Sequence, residues 1–253
     1  MNPWLYYGII FLLGLTVGMV NTLAGGGSSL LYPVLMFFGL SPHQAVGTSR
    51  LAFLFQGIFG VLGFRSKGYF LFPFNVFLGL SALTGAVSGA YLSLALPPVT
   101  YKNIIAAVIL IVTVLSLFYR KNDRSPSFHR TGGKHFWLAM AVFFILGAYS
   151  GFIQTGLGFL ILISLGLINR LDIKSANSVK AMVVLLAGIP ALLIYAARGD
   201  VLWKEAVAIA AGTALASWIT SRWSVRKDEV VLKRIIAILI ILLAVRLWMF
   251  QIK

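Results

Sequence analysis

Asn21-Thr22-Leu23-Ala24-Gly25-Gly26-Gly27-Ser28-Ser29 interrupts an apolar run that starts at Trp4 and resumes at Leu30. Three consecutive glycines framed by amides and hydroxyls are a poor helix interior. In hydrocarbon, a broken helix leaves N–H and C=O groups that cost several kcal/mol each unless protein or a water-filled cavity satisfies them. A break of this kind at membrane depth marks a site. Whether it lies there depends on the rest of the chain.

The 253 residues are 60% hydrophobic and 11% charged, with a mean hydropathy of +0.95. Soluble domains average about 45–50% apolar and about 25% charged residues. The chain reads as an all-α polytopic membrane protein whose first partner is the lipid bilayer. It has no cysteine, which excludes disulfides and thiolate metal or redox chemistry. The net charge of +15 sits mostly in short loops. It reads as membrane orientation rather than nucleic-acid binding, since no basic domain exists to carry the latter. No Lys or Arg precedes the first apolar run, so residues 4–22 read as a retained helix rather than a cleaved signal.

A spanning helix needs about 20 mainly apolar residues. Full spans are expected at 43–64, 71–95, 100–119, 173–197, 201–222 and 230–251, with helices at 4–22 and 136–154. Each of those two helices is followed by an apolar piece too short to span, at 28–39 and 158–168. The polar segment 120–134 divides the chain into a first repeat, 1–119, and a second, 135–253.

The halves match when slid by 131–133 positions. Gly14, Gly18, Asn21 and Thr22 fall on Gly147, Gly151, Gln154 and Thr155, and Gly25 falls on Gly158. Further on, Lys67-Gly68 meets Arg198-Gly199, and Lys102-Asn103-Ile104 meets Lys233-Arg234-Ile235. Charge then chooses between two topologies. If each short piece continues its helix, basic residues divide almost evenly between the two sides. If each short piece turns back as a hairpin, and Arg50, Lys180 and Arg246 inside apolar segments are left out, 14 lie on one side and 4 on the other. The positive-inside rule favours the second arrangement. It makes the repeats inverted, with about eight transmembrane helices counting each hairpin once. Both termini lie outside and 120–134 is cytoplasmic. Inverted repeats with interrupted helices are a transporter plan, with the site near the midplane.

The candidate site follows. Gly25, Gly26 and Gly27 permit unusual backbone and close approach. The amides of Gly26, Gly27 and Ser28 open the short helix, where unpaired donors and a partial positive charge suit an anion. Gln154, Thr155, Gly156 and Gly158 echo them. Two cations lie about 10–12 Å into spans: Arg50, after Thr48-Ser49, and Lys180, after Asn177-Ser178. Intramembrane cations usually face a cavity. The six acids fall in loops or at span ends, which argues against a cation carrier and against carboxylate proton relays. His43, His129 and His135 read as surface residues. No HExxH, GxSxG or phosphate-binding loop is present, so no enzyme, metal or cofactor is expected. Gly14/Gly18, Gly85/Gly89 and Gly147/Gly151 suit helix packing within one chain or between two, so monomer and homodimer both stay open.

The run Gly18-x-x-Asn21-Thr22-x-Ala24-Gly25-Gly26-Gly27, followed by Pro33 and Gly39-Leu40-Ser41-Pro42-x-x-Ala45-x-Gly47-Thr48-Ser49, resembles the TauE/SafE family of sulfite exporters. Gly147-x-x-x-Gly151-Phe152-x-Gln154-x-Gly156-x-Gly158 is similar to that family's second half. The resemblance implies transport of a small sulfur-containing anion, such as sulfite, sulfoacetate or another sulfonate, across the bacterial cytoplasmic membrane. The second half departs from the first, with Phe159 and Leu160 where Gly26 and Gly27 would align. That makes the first break the better anion cradle. The expected function is an alternating-access exporter of such an anion; an anion channel or a carrier of another small solute is the alternative.

Overall fold

The computed structural model describes residues 3–118 and 129–223. Residues 120–128 of the linker 120–134 and the expected span 230–251 lie outside the described residues, as does the second copy of the Lys102 match. All regular elements among the described residues are helices: α1 (Pro3–Ala24), α2 (Ser28–Phe37), α3 (Pro42–Arg65), α4 (Phe74–Leu94), α5 (Pro98–Phe118), α6 (Gly133–Phe152), α7 (Leu157–Ser164, with a π turn to Asn169), α8 (Ile173–Ala197) and α9 (Trp203–Trp223).

Five helices are long and apolar enough to cross a membrane: α1, α3, α4, α6 and α8. The element α9 has the length but carries Lys204, Glu205 and Arg222 and a run of Ala, Gly, Ser and Thr. Those small residues are what let it sit between α1 and α3. A Cβ on Gly14 would meet the Ile209 carbonyl at 2.5 Å, and one on Gly18 would meet Thr213 and Ala216 at 2.8 Å. The same packing joins α4 to α6, where Gly147 lies on Ala82 and Gly151 on Ala86. The three GxxxG pairs are therefore intramolecular helix contacts. Large apolar side chains point outward instead, among them Leu5, Leu12, Leu138, Ile145 and Leu193.

Contact order along each pair gives helix direction. Residues 14 and 18 of α1 meet 209 and 213 of α9, so the two run parallel. Thr213 Oγ1 donates to the Ala52 carbonyl and Ser217 Oγ to that of Gln56, so α3 runs with them. On the other side, α4 runs with α6, and Asn75–Ser178 and Gly79–Leu186 show that α8 does too. Between the groups the order reverses: Gly47 meets Tyr195, and Gly57 meets Leu185. Thus α1, α3 and α9 point one way and α4, α6 and α8 the other.

The chain doubles back after the first break. A Cβ on Gly27 would lie 2.5 Å from the carbonyl of Val17. In a continuous helix, ten residues would separate them by about 15 Å. The rings of Tyr6 and Phe38 then pack 5.5 Å apart, so α2 returns to the level where α1 begins. The second break also turns sharply, through Gln154 and Gly156 at φ of 59° and 67°.

Candidate functional site

The two breaks meet tip to tip. Gly25 adopts φ +79° where α1 ends, a conformation that favours glycine. A Cβ there would come within 2.4 Å of the Gly158 carbonyl carbon, and one on Gly158 within 2.4 Å of the Gly25 Cα. Backbone thus rests on backbone, and α1 and α6 reach this point from opposite directions. Gly27 and Gly156 are the N-caps of α2 and α7. Ser28 Oγ donates to the Gln154 carbonyl at 3.3 Å and Tyr32 OH to that of Ile153 at 2.8 Å, tying one tip to the other.

Each tip ends a helix whose last carbonyls lack intrahelical partners and carry about half a negative charge. A cation from the opposite half satisfies each. Lys180 Nζ donates to the carbonyls of Asn21 (3.0 Å) and Thr22 (2.8 Å) at the end of α1. Arg50 donates to the carbonyls of Ser150 and Gly151, both at 2.7 Å, at the end of α6, and to Gln154 Oε1 at 2.5 Å. The planar guanidinium suits this three-acceptor site. These bonds also hold Gln154 in a left-handed conformation uncommon for a residue with a side chain.

Asn21 and Thr22 therefore occupy, in the first tip, the place of Ser150 and Gly151 in the second. That equivalence is 129 positions, one helical turn short of the register that pairs them with Gln154 and Thr155. The slip has a simple cause: Gly14/Gly18 and Gly147/Gly151 are repeats of four, and a four-residue pattern matches itself one turn along. In the structural register Gly156 stands opposite Gly27, so the second tip has its own glycine cap.

Arg50 is fully buried and Lys180 is 4% exposed. Among the described residues the acids are Asp172, the N-cap of α8; Asp200, beyond its end; and Glu205, in the first turn of α9. Two helix ends offset about half a charge each.

A small cavity of about 20 Å³ lies on the Lys180 side, room for about one water. Its polar wall is Asn21, Thr22, Gln56, Asn177, Lys180 and Ser217. Asn177 Oδ1 is buried with no hydrogen-bond partner. Gly57, Gly60, Phe64, Ala181 and Val184 form the apolar wall.

The other expected site residues divide. Gly26 faces open space, since a Cβ there would meet nothing within 4 Å. The Thr155 carbonyl accepts from Tyr149 OH, and its Oγ1 is buried without a partner. Thr48 Oγ1 accepts from the Leu202 amide, Ser49 Oγ donates to the Val46 carbonyl in its own helix, and Ser178 Oγ accepts from Asn75. These three hold helices and do not line the cavity. Gln56 and Ser217, absent from the sequence reading, are central. Gln56 accepts from Asn21 Nδ2 at 3.0 Å and donates to Thr22 Oγ1 at 3.2 Å, while Ser217 accepts from Thr22 at 3.3 Å. An amide in the apolar middle of the span 43–64 was the available signal for Gln56. Ser217 had none, being one of many small polar residues in α9. No group of three His, Cys, Asp or Glu side chains able to hold a metal occurs among the described residues.

Such interrupted, tip-to-tip helices point to transport, and comparison with known proteins decides the family. The sequence model of the sulfite exporter TauE/SafE family matches residues 10–247. The chain belongs to the TauE/SafE family. This TauE/SafE protein is similar to probable membrane transporter protein ORF9 of Sinorhizobium sp, 23% identical over 94% of this chain and 90% of that one. It is also similar to YfcA of Escherichia coli strain K12, a probable membrane transporter, at 22% identity over 96% and 90%. A probable membrane transporter of Xylella fastidiosa strain 9a5c is 27% identical over 92% and 90%. No solved structure matches the chain. The protein is a multi-pass membrane transporter of the TauE/SafE family.

Proposed function

We propose that this transporter carries a small sulfur-containing anion, such as sulfite or a sulfonate, out across the bacterial cytoplasmic membrane. The observation that carries the reading is the pair of buried cations, Arg50 and Lys180, that converge on the meeting point of the two tips. An anion is complementary in charge to the two cations. Asn21, Thr22, Gln56, Asn177 and Ser217 replace its hydration, and Lys180 faces it. The family's name supplies the sulfur chemistry; the site supplies the sign of the charge.

The cavity admits one water, so the anion binds in a form where the tips have separated. The opposed directions of α1, α3 and α9 against α4, α6 and α8 support an alternating-access motion of one group against the other. We place the termini outside, which puts the basic α3–α4 and α7–α8 turns on the cytoplasmic side. An inside-negative potential then favours anion exit by about 2.3 kcal/mol per charge per 100 mV, enough for uniport.

A thermal-shift screen of the purified protein tests the reading. Sulfite, thiosulfate and alkyl sulfonates raise the unfolding temperature, because a ligand that binds only the folded state stabilises it. Choline does not. If no anion moves the midpoint and a cation does, the reading is wrong.

A further inference from the structure

The cavity beside Lys180 extends from the tips toward one end of the molecule. On α3 its wall runs from Gln56 through Gly57 and Gly60 to Phe64, about 12 Å along the axis. Phe64 is the last residue but one of α3 and is buried. The helices α3 and α8 pack antiparallel with Gly60 against Ala181. Phe64, one turn further along α3, therefore stands level with Asn177, one turn back along α8. Gly60 leaves the room, since a Cβ there would meet Ser217 Oγ at 3.1 Å and Ala181 Cβ at 3.2 Å. The helices close up on either side of it: a Cβ on Gly57 would meet the Leu185 backbone at 2.8 Å, and one on Gly63 would run into Ser221. Asn177 Oδ1, buried without a partner, belongs to the same wall. The other side of the tips is filled by rings. Tyr101 and Tyr32 donate to the Phe152 and Ile153 carbonyls, and Tyr101 OH lies 3.0 Å from Tyr195 OH. His43, expected at the surface from its turn, is buried and stacks on Tyr101 with ring centres 4.7 Å apart.

We infer that the anion reaches the tips between α3, α8 and α9, and that Phe64 is the plug of that route. This rests on the anion reading of the tips. The cavity already follows the route, and Phe64 is the side chain at its far end. Each of the three helices also brings a cation to that end of the molecule: Arg65 in the last turn of α3, Lys174 in the first turn of α8 and Arg222 in the last turn of α9. The one acid there among the described residues, Asp172, caps α8 beside His129. Such a basic mouth raises the local concentration of anions and lowers that of cations. In the orientation proposed for this protein the mouth is cytoplasmic, the side from which an exporter loads. Opening needs α3 to part from α8 and α9 at Gly60, where no side chain of α3 interlocks them. The buried rings on the opposite side stay closed meanwhile, as alternating access requires.

The test places a single thiol in the cysteine-free chain. Ala181→Cys puts it on the cavity wall, next to Lys180. Two membrane-impermeant methanethiosulfonates, one bearing a sulfonate and one a trimethylammonium, are applied to the full-length protein in liposomes from each side. Rates are taken relative to the same reagent's rate with 2-mercaptoethanol. Adding Phe64→Ala makes the sulfonate reagent label position 181 about tenfold faster, because labelling follows the open fraction. It does so only from the side that labels Ser66→Cys, in the exposed turn after α3. The sulfonate reagent outpaces the cationic one, and methanesulfonate slows it, which it would not do in an unfolded chain. Phe64→Leu keeps a smaller apolar plug and gives an intermediate rate; it decides the matter if F64A does not fold. A rate unchanged by substitution at position 64, or raised from the opposite side, overturns the inference and leaves the anion reading standing. Preference for the cationic reagent overturns both.

Discussion

Lys180 and Arg50 are legible in the sequence as cations inside apolar helices, but their partners are not. The acceptors are backbone carbonyls 158 and 101 residues away, which no side-chain pattern announces. Lys180→Met keeps the stem but removes the donor to the Asn21 and Thr22 carbonyls. Asn21 keeps the Gly25 amide, so the Thr22 carbonyl is the one that loses its donor, at about 1–3 kcal/mol for a buried acceptor left unpaired. The variant loses about 2 kcal/mol or more in detergent unfolding and loses anion binding; retention of wild-type affinity removes Lys180 from the site. Arg50→Lys cannot reach three acceptors at once and is expected to behave as a destabilised, slow transporter. The glycines divide in the same way. Gly158→Ala drives a methyl into the Gly25 backbone, whereas Gly26→Ala meets open space. The first abolishes flux and lowers the unfolding temperature; the second leaves both within error of wild type. Equal effects would mean that the tips do not rest on each other.

Helices and breaks are readable because lipid forces long apolar runs and makes every interruption conspicuous. The expected span 173–197 coincides with α8, and both short pieces appear as α2 and α7. Which residues of the two tips correspond is harder to read, since a GxxxG pair looks the same after a one-turn slip; by their hydrogen bonds to Lys180 and Arg50, Asn21 and Thr22 correspond to Ser150 and Gly151. One helix start carries its own pH dependence. Burial pushes the Asp172 carboxyl up, but hydrogen bonds from Ser175 and Lys174 at the α8 N-terminus, together with His129 at 3.3 Å, hold it below its ordinary value. A lowered folded value means that its contribution is complete above the ordinary carboxylate range, about pH 4, and is lost as pH falls through the lowered value. Asp172→Asn retains a cap acceptor and is expected to flatten the acid limb of the stability curve. An unchanged acid limb would show that Asp172 does not set it.

At the scale of the whole molecule, the proposal requires one sidedness. The chain has no cysteine, so single introduced thiols report topology without background. Ser66→Cys, in the turn after α3, is expected to label only from the cytoplasm, and Thr100→Cys, in the first turn of α5, only from outside. Both positions are exposed. The reverse pattern would invert the orientation. The central claim is that the meeting point of the two tips selects a negative charge. Flux into proteoliposomes at pH 8, with an imposed potential, tests it with methanesulfonate and its neutral isostere dimethyl sulfone. The account predicts saturable methanesulfonate flux that follows the sign of the potential and no dimethyl sulfone flux above that of empty liposomes. Equal, potential-independent flux of the two solutes would contradict it.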